Sequence, residues 1–398
     1  MASSTPSDLK AAQPDRRRWL ALSVILTATF LDLVDVTIVN IAIPSIQRDI
    51  GATIGQIQWI TAGYALAFAV GLITGGRLGD IFGRKRLFLV GVSFFTLSSA
   101  LCGLAPSGEL LLVARVLQGT SAALMVPQVL SIVHATFPAH ERGQVFGLFG
   151  AILGLGGVSG PLLGALLTEW NLFGLDWRLI FLINLPVGIA ALILGGMWIT
   201  ESRAPNALRL DLVGVALVTV GMLMLVFPLT LGREMGWPLW GHLTMASSVL
   251  VLGALVLYER HKSARDGSPL IELSLFTVAS FRAGIGVQVA FGIVTGIFFL
   301  VWTLYLQAGL GWGVLRAGLT GIPFSVATML AASVSVQWLV PKFGRKVPQV
   351  GALAMATGMV SYIAVVERYG MESTPWQMAL PLAMVGTGMG LITAPLAN

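Results

Sequence analysis

Long apolar runs separated by short polar turns dominate the hydrophobic pattern of this chain. Residues 57–74 and 87–107, for example, contain no charged side chain. A helix needs about 20 apolar residues to cross the roughly 30 Å of hydrocarbon in a bilayer. The pattern therefore predicts about twelve membrane-spanning helices. They cover residues 19–41, 57–77, 87–106, 110–131, 145–168, 179–199, 211–231, 243–259, 283–306, 318–340, 348–366 and 376–398.

Composition narrows the class of protein further. Hydrophobic residues make up 56% of the chain and charged residues only 11%, whereas a soluble domain carries about 25% charged residues. The net charge of +6 does not indicate nucleic acid, because the basic residues lie in turns between apolar runs, where they set membrane orientation. We therefore expect the lipid bilayer as the environment and no nucleic-acid partner.

The distribution of Lys and Arg predicts the orientation. Basic residues cluster before the first run and after every second run, which by the positive-inside rule places the N-terminus in the cytoplasm. No small-residue cleavage site follows the first apolar run, so we expect it to remain as the first helix. Cys102 is the single cysteine and lies in an apolar run, which excludes an internal disulfide framework and a Cys-based metal site.

The spans fall into two groups with two extra spans between them. Residues 1–17 form a cytoplasmic tail, and residues 18–200 an N-terminal six-helix bundle. Two inserted spans over residues 201–260 follow, then a cytoplasmic linker over 261–282 that is rich in turn-forming residues. Residues 283–398 form a C-terminal bundle with only four predicted spans, which is therefore incomplete if the two halves are repeats.

The turn between the second and third spans carries a distinctive charge pattern. It contains Gly76, Asp80, Gly83, Arg84 and Lys85, and so combines a lone carboxylate with basic residues and with glycines that permit sharp backbone turns. This pattern resembles the signature loop of the major facilitator superfamily. The resemblance implies an all-α fold of two helical bundles, and a role for the Asp80 carboxylate in gating the cytoplasmic side.

Three charged residues lie away from the ends of predicted spans, where charge is costly and usually functional. Asp32 and Asp35 lie about 60° apart on the first helix, so that one face presents both carboxyls and makes the pair a candidate proton carrier. Arg115 in the fourth span is a candidate positive partner for such an acid. Two other interpretations remain open: an Asp near water at the helix end, and an Arg115 that extends to the outer surface beside Glu109.

These residues also carry resemblances to one branch of the superfamily. Asp35 and the residues up to Pro44 resemble the first-helix signature of the fourteen-spanner drug:proton antiporters, whereas Asp32 lies outside that signature. Arg115 with Gly119 resembles the superfamily pattern of the fourth span.

The fifth span resembles the antiporter motif of drug exporters. Its matching residues are Gly156, Gly160, Pro161 and Gly164, with Ala165 in place of the motif's final glycine. Glycines spaced by four residues also let another helix approach closely, so generic helix packing explains the pattern equally well.

The resemblance implies proton-coupled export of lipophilic or cationic drugs by alternating access. Protons would be the coupling ion, and neither a metal nor another cofactor is expected. Side chains proposed to line the substrate cavity are Asn40, Gln118, Trp302, Tyr305 and Gln307. A fourteen-spanner also implies that two further helices would follow Asn398.

Two other functions stay open. A proton-coupled symporter, or an exporter of a small metabolite, would have the same fold. A membrane-bound enzyme is less favoured because the four histidines fall in or beside polar loops and suggest no metal cage or catalytic triad. We expect the protein in the inner membrane of a bacterium, and the sequence leaves open both a monomer and an association with a periplasmic adaptor.

Overall fold

The computed structural model describes residues 17–205, 209–232 and 235–396. Most of the predicted tail, residues 1–16, and Asn398 therefore lie outside the described residues. The described residues form helices joined by turns and short connecting segments, and they contain no β-strand. The α-helices are α1 (Arg17–Ile50), α2 (Ile54–Phe82), α3 (Arg84–Gly103), α4 (Gly108–Thr136), α5 (Ala139–Trp170), α6 (Leu179–Leu182), α7 (Asn184–Trp198), α8 (Leu212–Leu231), α9 (Leu239–Asp266), α10 (Ala279–Leu304), α11 (Val314–Leu319), α12 (Ile322–Val334), α13 (Val340–Phe343), α14 (Lys346–Tyr369) and α15 (Pro375–Leu396).

These helices lie where the apolar runs predicted spans. Within the described residues, 10 helical segments are long and apolar enough to cross a membrane. The two remaining predicted spans, 145–168 and 376–398, fall on α5 and α15, which have 32 and 22 residues. The protein is therefore a multi-pass membrane protein.

Some boundaries differ from the predicted ones for identifiable reasons. The linker was expected to begin at residue 261, but α9 continues to Asp266 and ends only where Gly267 takes a left-handed conformation with φ of 63°. The predicted span 318–340 is interrupted between α11 and α12, where Pro323 follows the break and offers no backbone N–H. A π-helical turn, Ser335–Leu339, follows α12.

Close helix contacts organise the N-terminal bundle. The α2 helix packs on α4, the α3 helix on α4 and α7, and the α1 helix on α5 and α7. Gly156 of α5 shows why one of these approaches needs a glycine, because an added Cβ would lie 2.7 Å from the Leu33 Cβ of α1. Backbones can approach this closely only where side chains are absent.

The remaining helices attach to this bundle along two separate faces. The α5 helix packs against α11 and α12, and α14 and α15 complete the described part of the C-terminal group. The inserted pair, α8 and α9, packs against α2 instead. The Trp59 ring of α2 lies 5.4 Å from the Phe227 ring of α8, which in turn lies 6.2 Å from Trp240 of α9.

Candidate functional site

The Asp35 carboxylate occupies the centre of a buried polar network in the N-terminal bundle. It is fully buried and forms an ion pair with Arg115 of α4. Its other oxygen, Oδ1, accepts hydrogen bonds of 2.9 Å from both Gln118 Nε2 and Asn184 Nδ2. The anion thus has a cationic partner and two amide donors, which is the condition for keeping a buried carboxylate charged.

Ser99 of α3 holds the two amides in place. Its hydroxyl oxygen accepts hydrogen bonds of 2.7 Å from Gln118 and 3.1 Å from Asn184. The network therefore joins α1, α3, α4 and α7 through side chains that are at most 1% exposed. Asp35 therefore contacts α4 and α7 directly, and α3 through the two amides.

Arg115 is held from several sides. In addition to Asp35, it donates to Gln118 Oε1 at 2.7 Å and to the Ile60 carbonyl at 3.2 Å. Its guanidinium carbon lies 4.2 Å from the centre of the Tyr64 ring, a cation–π geometry. With 1% exposure, Arg115 does not extend to the outer surface, so that interpretation is wrong.

Asp32 has a different environment from Asp35. Its carboxylate accepts a 2.5 Å hydrogen bond from the Tyr64 hydroxyl and is 7% exposed. The interpretation that either Asp lies near water at the helix end is therefore wrong. Tyr64 links the two acids, because its hydroxyl contacts Asp32 while its ring contacts the cation that pairs with Asp35. A proton that neutralises one carboxyl thus changes the charge felt by the other.

Three members of the network were not among the predicted site residues: Tyr64, Ser99 and Asn184. The available signal was weak, since each is a neutral polar or aromatic residue in an apolar run. Asn184 is the most informative of them, because an amide in a span needs partners. Those partners come from other helices, which only the fold brings together.

A comparison with known families now decides the class. The family model of the Major Facilitator Superfamily matches residues 25–398. This chain belongs to the major facilitator superfamily. It is therefore a transporter of small molecules embedded in a membrane, as the signature turn predicted.

Relatives named for antibiotic export or resistance resemble it over nearly its whole length. A "Probable actinorhodin transporter" of Streptomyces coelicolor is 43% identical over 95% of the chain and 66% of the relative. The "Puromycin resistance protein pur8" of Streptomyces alboniger is 36% identical over 99% of the chain and 77% of the relative. The "Tetracenomycin C resistance and export protein" of Streptomyces glaucescens is 34% identical, over 96% and 70%. The chain thus spans about two thirds to three quarters of their length.

A solved structure of the superfamily supports the fold. The proton:xylose symporter XylE bound to 6-bromo-6-deoxy-D-glucose matches with a TM-score of 0.64 over 97% of this chain and 82% of that one. At 16% identity the likeness concerns the major facilitator fold alone. The predicted fold class is confirmed.

The signature turn of the superfamily is held by local contacts. Asp80 accepts a 2.8 Å hydrogen bond from Arg84, four residues later at the start of α3, so this partner lies within the same turn. Gly83, with φ of 113°, makes the sharp reversal between α2 and α3. The carboxylate of Glu201, which was not predicted, accepts the backbone N–H groups of Lys85 at 3.1 Å and Arg86 at 3.2 Å. Glu201 thus binds the otherwise unpaired N–H groups at the start of α3.

The remaining predicted residues of the signature turn lie at the α2–α3 connection, and the glycines of the antiporter motif lie along α5. Gly76 lies near the end of α2, and the Lys85 ammonium donates to the Gly196 carbonyl at 2.7 Å. In α5, Gly156 and Gly160 face α1, where Gly160 lies against Thr37. Gly164 is buried, and the side chain of Pro161 lies outside the described part of the helix. The glycine face therefore packs on the helix that carries Asp35.

The predicted cavity residues do not form one group. Gln118 belongs to the Asp35 network, whereas Asn40 is exposed on α1. Trp302 is buried and stacks 6.0 Å from Phe298. The Tyr305 hydroxyl donates to the Gly370 carbonyl at 2.8 Å, and Gln307 is half-buried. The cavity roles of Asn40, Trp302, Tyr305 and Gln307 stay predictions.

Proposed function

We propose that this protein exports a lipophilic or cationic small molecule in exchange for protons. The relatives supply the first support, because three of them are named for transport of, or resistance to, an antibiotic. The residues that resemble the drug:proton antiporter signatures supply the second. The transport activity, the direction of substrate movement and the identity of the coupling ion are all part of this proposal.

The buried Asp35–Arg115 pair is the single observation that carries proton coupling. A carboxylate that exchanges its charge for a proton must release a partner, and here that partner is a cation that cannot lose its own proton. The Ile60 carbonyl and Gln118 Oε1 already bind Arg115, so they can hold it when Asp35 is neutral. Protonation of Asp35 would therefore loosen α1 from α4 without leaving a bare buried cation.

The geometry of α5 connects that event to the opposite half. The glycines of α5 pack on α1, and α5 also packs on α11 and α12. A shift of α1 would therefore displace α5, which contacts the second group of helices through α11 and α12. We propose that proton binding at Asp35 favours one access state of the substrate site and that proton release favours the other, as alternating access requires.

The cellular setting follows from the same proposal. We place the protein in the inner membrane of a bacterium, with its N-terminus and the signature turn in the cytoplasm, because basic residues concentrate there. In this proposal the protein acts as a monomer on a small-molecule substrate. A periplasmic adaptor protein is not required for this mechanism.

Proteoliposomes with an imposed pH gradient test the function. Wild-type protein should move a fluorescent cationic drug against the direction of proton flow, and Asp35→Asn should abolish this exchange because the amide does not titrate. Glu109→Gln, which alters an exposed carboxylate at the start of α4, is the matched control and should retain exchange. Drug movement in the same direction as protons would establish a symporter instead, and wild-type exchange by Asp35→Asn would refute the assigned role.

A further inference from the structure

A second pair of buried acids lies in the inserted helices, away from the Asp35 network. Asp211 immediately precedes α8, Glu259 lies near the end of α9, and each residue is 1% exposed. The two carboxyls are neighbours, because their oxygens Glu259 Oε1 and Asp211 Oδ2 approach the same face of Gly214. Gly214 permits this approach, because an added Cβ would collide with Glu259 Oε1 and lie 2.8 Å from Asp211 Oδ2.

Asp211 has the partners of an anion. Its Oδ1 accepts the Gly214 N–H at 2.9 Å and the Tyr258 hydroxyl at 3.1 Å, and Lys262 Nζ lies 3.6 Å away. Burial opposes ionisation, but these donors outweigh it and hold the pKa of Asp211 below its ordinary range. Asp211 is therefore the charged member of the pair.

Glu259 has fewer partners. Its Oε2 accepts the Ile271 N–H at 3.3 Å. Its Oε1 and the Asp211 Oδ2 are both buried and have no hydrogen-bond partner among the described residues. Two ionised carboxylates are both acceptors and cannot satisfy each other. A single proton between the two oxygens satisfies both and removes one of two adjacent buried charges.

We propose that Asp211 and Glu259 form a proton-binding site in which Glu259 retains a proton at Oε1 and donates a hydrogen bond to Asp211 Oδ2. The proton comes from solvent and leaves to solvent, so no other reactant is needed. Tyr258 and Lys262 of α9 contact Asp211. Arg77 of α2 is the nearby cation on the connecting segment, where it contacts backbone carbonyls.

The position of the pair links it to the signature turn. Glu259 binds the connecting segment after α9 through the Ile271 N–H, while Arg77 of α2 donates to carbonyls of the same segment, at 3.3 Å to Ser268 and 3.2 Å to Leu270. The proton site therefore lies at the same membrane face as the α2–α3 turn. It is separate in sequence and in partners from the Asp35 network.

Infrared difference spectroscopy of the full chain in lipid vesicles tests this site. The carbonyl stretch of protonated carboxyls is followed between neutral and alkaline pH. Wild-type protein should show a band from Glu259, and Glu259→Gln should lose it while the glutamine amide preserves the hydrogen bond to Asp211. Glu272→Gln, an exposed carboxylate in the same connecting segment, should leave the band unchanged.

Asp211→Asn provides a second, independent variant in case the first fails to fold. The asparagine amide can donate to Glu259, so the shared proton is no longer required and the band at neutral pH should again be lost. A band that persists in whichever of the two variants folds would overturn the proposal. Neither outcome depends on drug exchange, so this test is independent of the transport function.

Discussion

Substitutions that remove the Asp35–Arg115 ion pair should reveal strong energetic coupling between α1 and α4. Removing one partner of a buried ion pair costs about 3–5 kcal/mol, because the other charge stays buried without compensation. We expect Asp35→Asn and Arg115→Met each to fall near the lower end, about 3 kcal/mol. In the first variant Arg115 keeps the Ile60 carbonyl and Gln118, and in the second Asp35 keeps two amide donors.

The double variant is the informative one. It buries no charge at this position, so it should cost no more than either single variant, about 3 kcal/mol. The two single costs add to about 6 kcal/mol, so the coupling energy should be at least about 3 kcal/mol. Thermal and denaturant unfolding in detergent measures the free energy of unfolding of the wild type, the two single variants and the double variant, which together form a double-mutant cycle. The Arg18–Glu141 pair is the matched control, since its side chains are 14% and 22% exposed and its coupling should be below about 1 kcal/mol.

Additive effects of Asp35→Asn and Arg115→Met would refute this reasoning. Such a result would mean that water or another group already compensates each charge, and that the pair is not a coupled unit. Coupling as small as that of the Arg18–Glu141 control would lead to the same conclusion.

Three further predictions concern the surroundings of the network. Glu201→Ala should lower the free energy of unfolding by about 0.5–2 kcal/mol, because the N–H groups at the start of α3 lose their acceptor. Glu201→Gln should lose less. Equal melting temperatures for Glu201→Ala and wild type would contradict the capping role. Gly156→Ala should destabilise the protein by about 1–3 kcal/mol because the new Cβ would collide with α1. Gly253→Ala is the control: the space around its Cβ is open, so it should be neutral or stabilise the protein by up to about 1 kcal/mol. The reverse order of melting temperatures would contradict the packing argument. The hydrogen bond from Arg178 lowers the pKa of Asp49, so this carboxylate stabilises the fold above its unfolded pKa of about 3.9 and the contribution is lost as pH falls through the lower folded value. Asp49→Asn should therefore flatten the acid side of the melting-temperature profile, and an unchanged profile would show that the pair contributes nothing.

Much of the architecture follows from the order of residues alone. Membrane-spanning helices need about 20 apolar residues whatever their neighbours, so uninterrupted runs place them without knowledge of the fold. The turn around Asp80 and Gly83 is also legible, because its charges and glycines act within a few residues of one another. Asp32, Asp35 and Arg115 stand out for the same reason: ionisable groups in apolar runs are costly wherever they finally lie.

The pairing of those groups depends on the tertiary structure. Arg115 is 80 residues from Asp35 in the chain, and Asn184 is 149 residues away, yet all three meet around one carboxylate. Which face of each helix turns inward depends on packing between helices, and no local pattern specifies it. The same holds for Glu201 at the start of α3 and for the carboxyls of Asp211 and Glu259. In sequence these residues are ordinary acids near the ends of apolar runs, and only the packed helices show which backbone groups and which charges they contact.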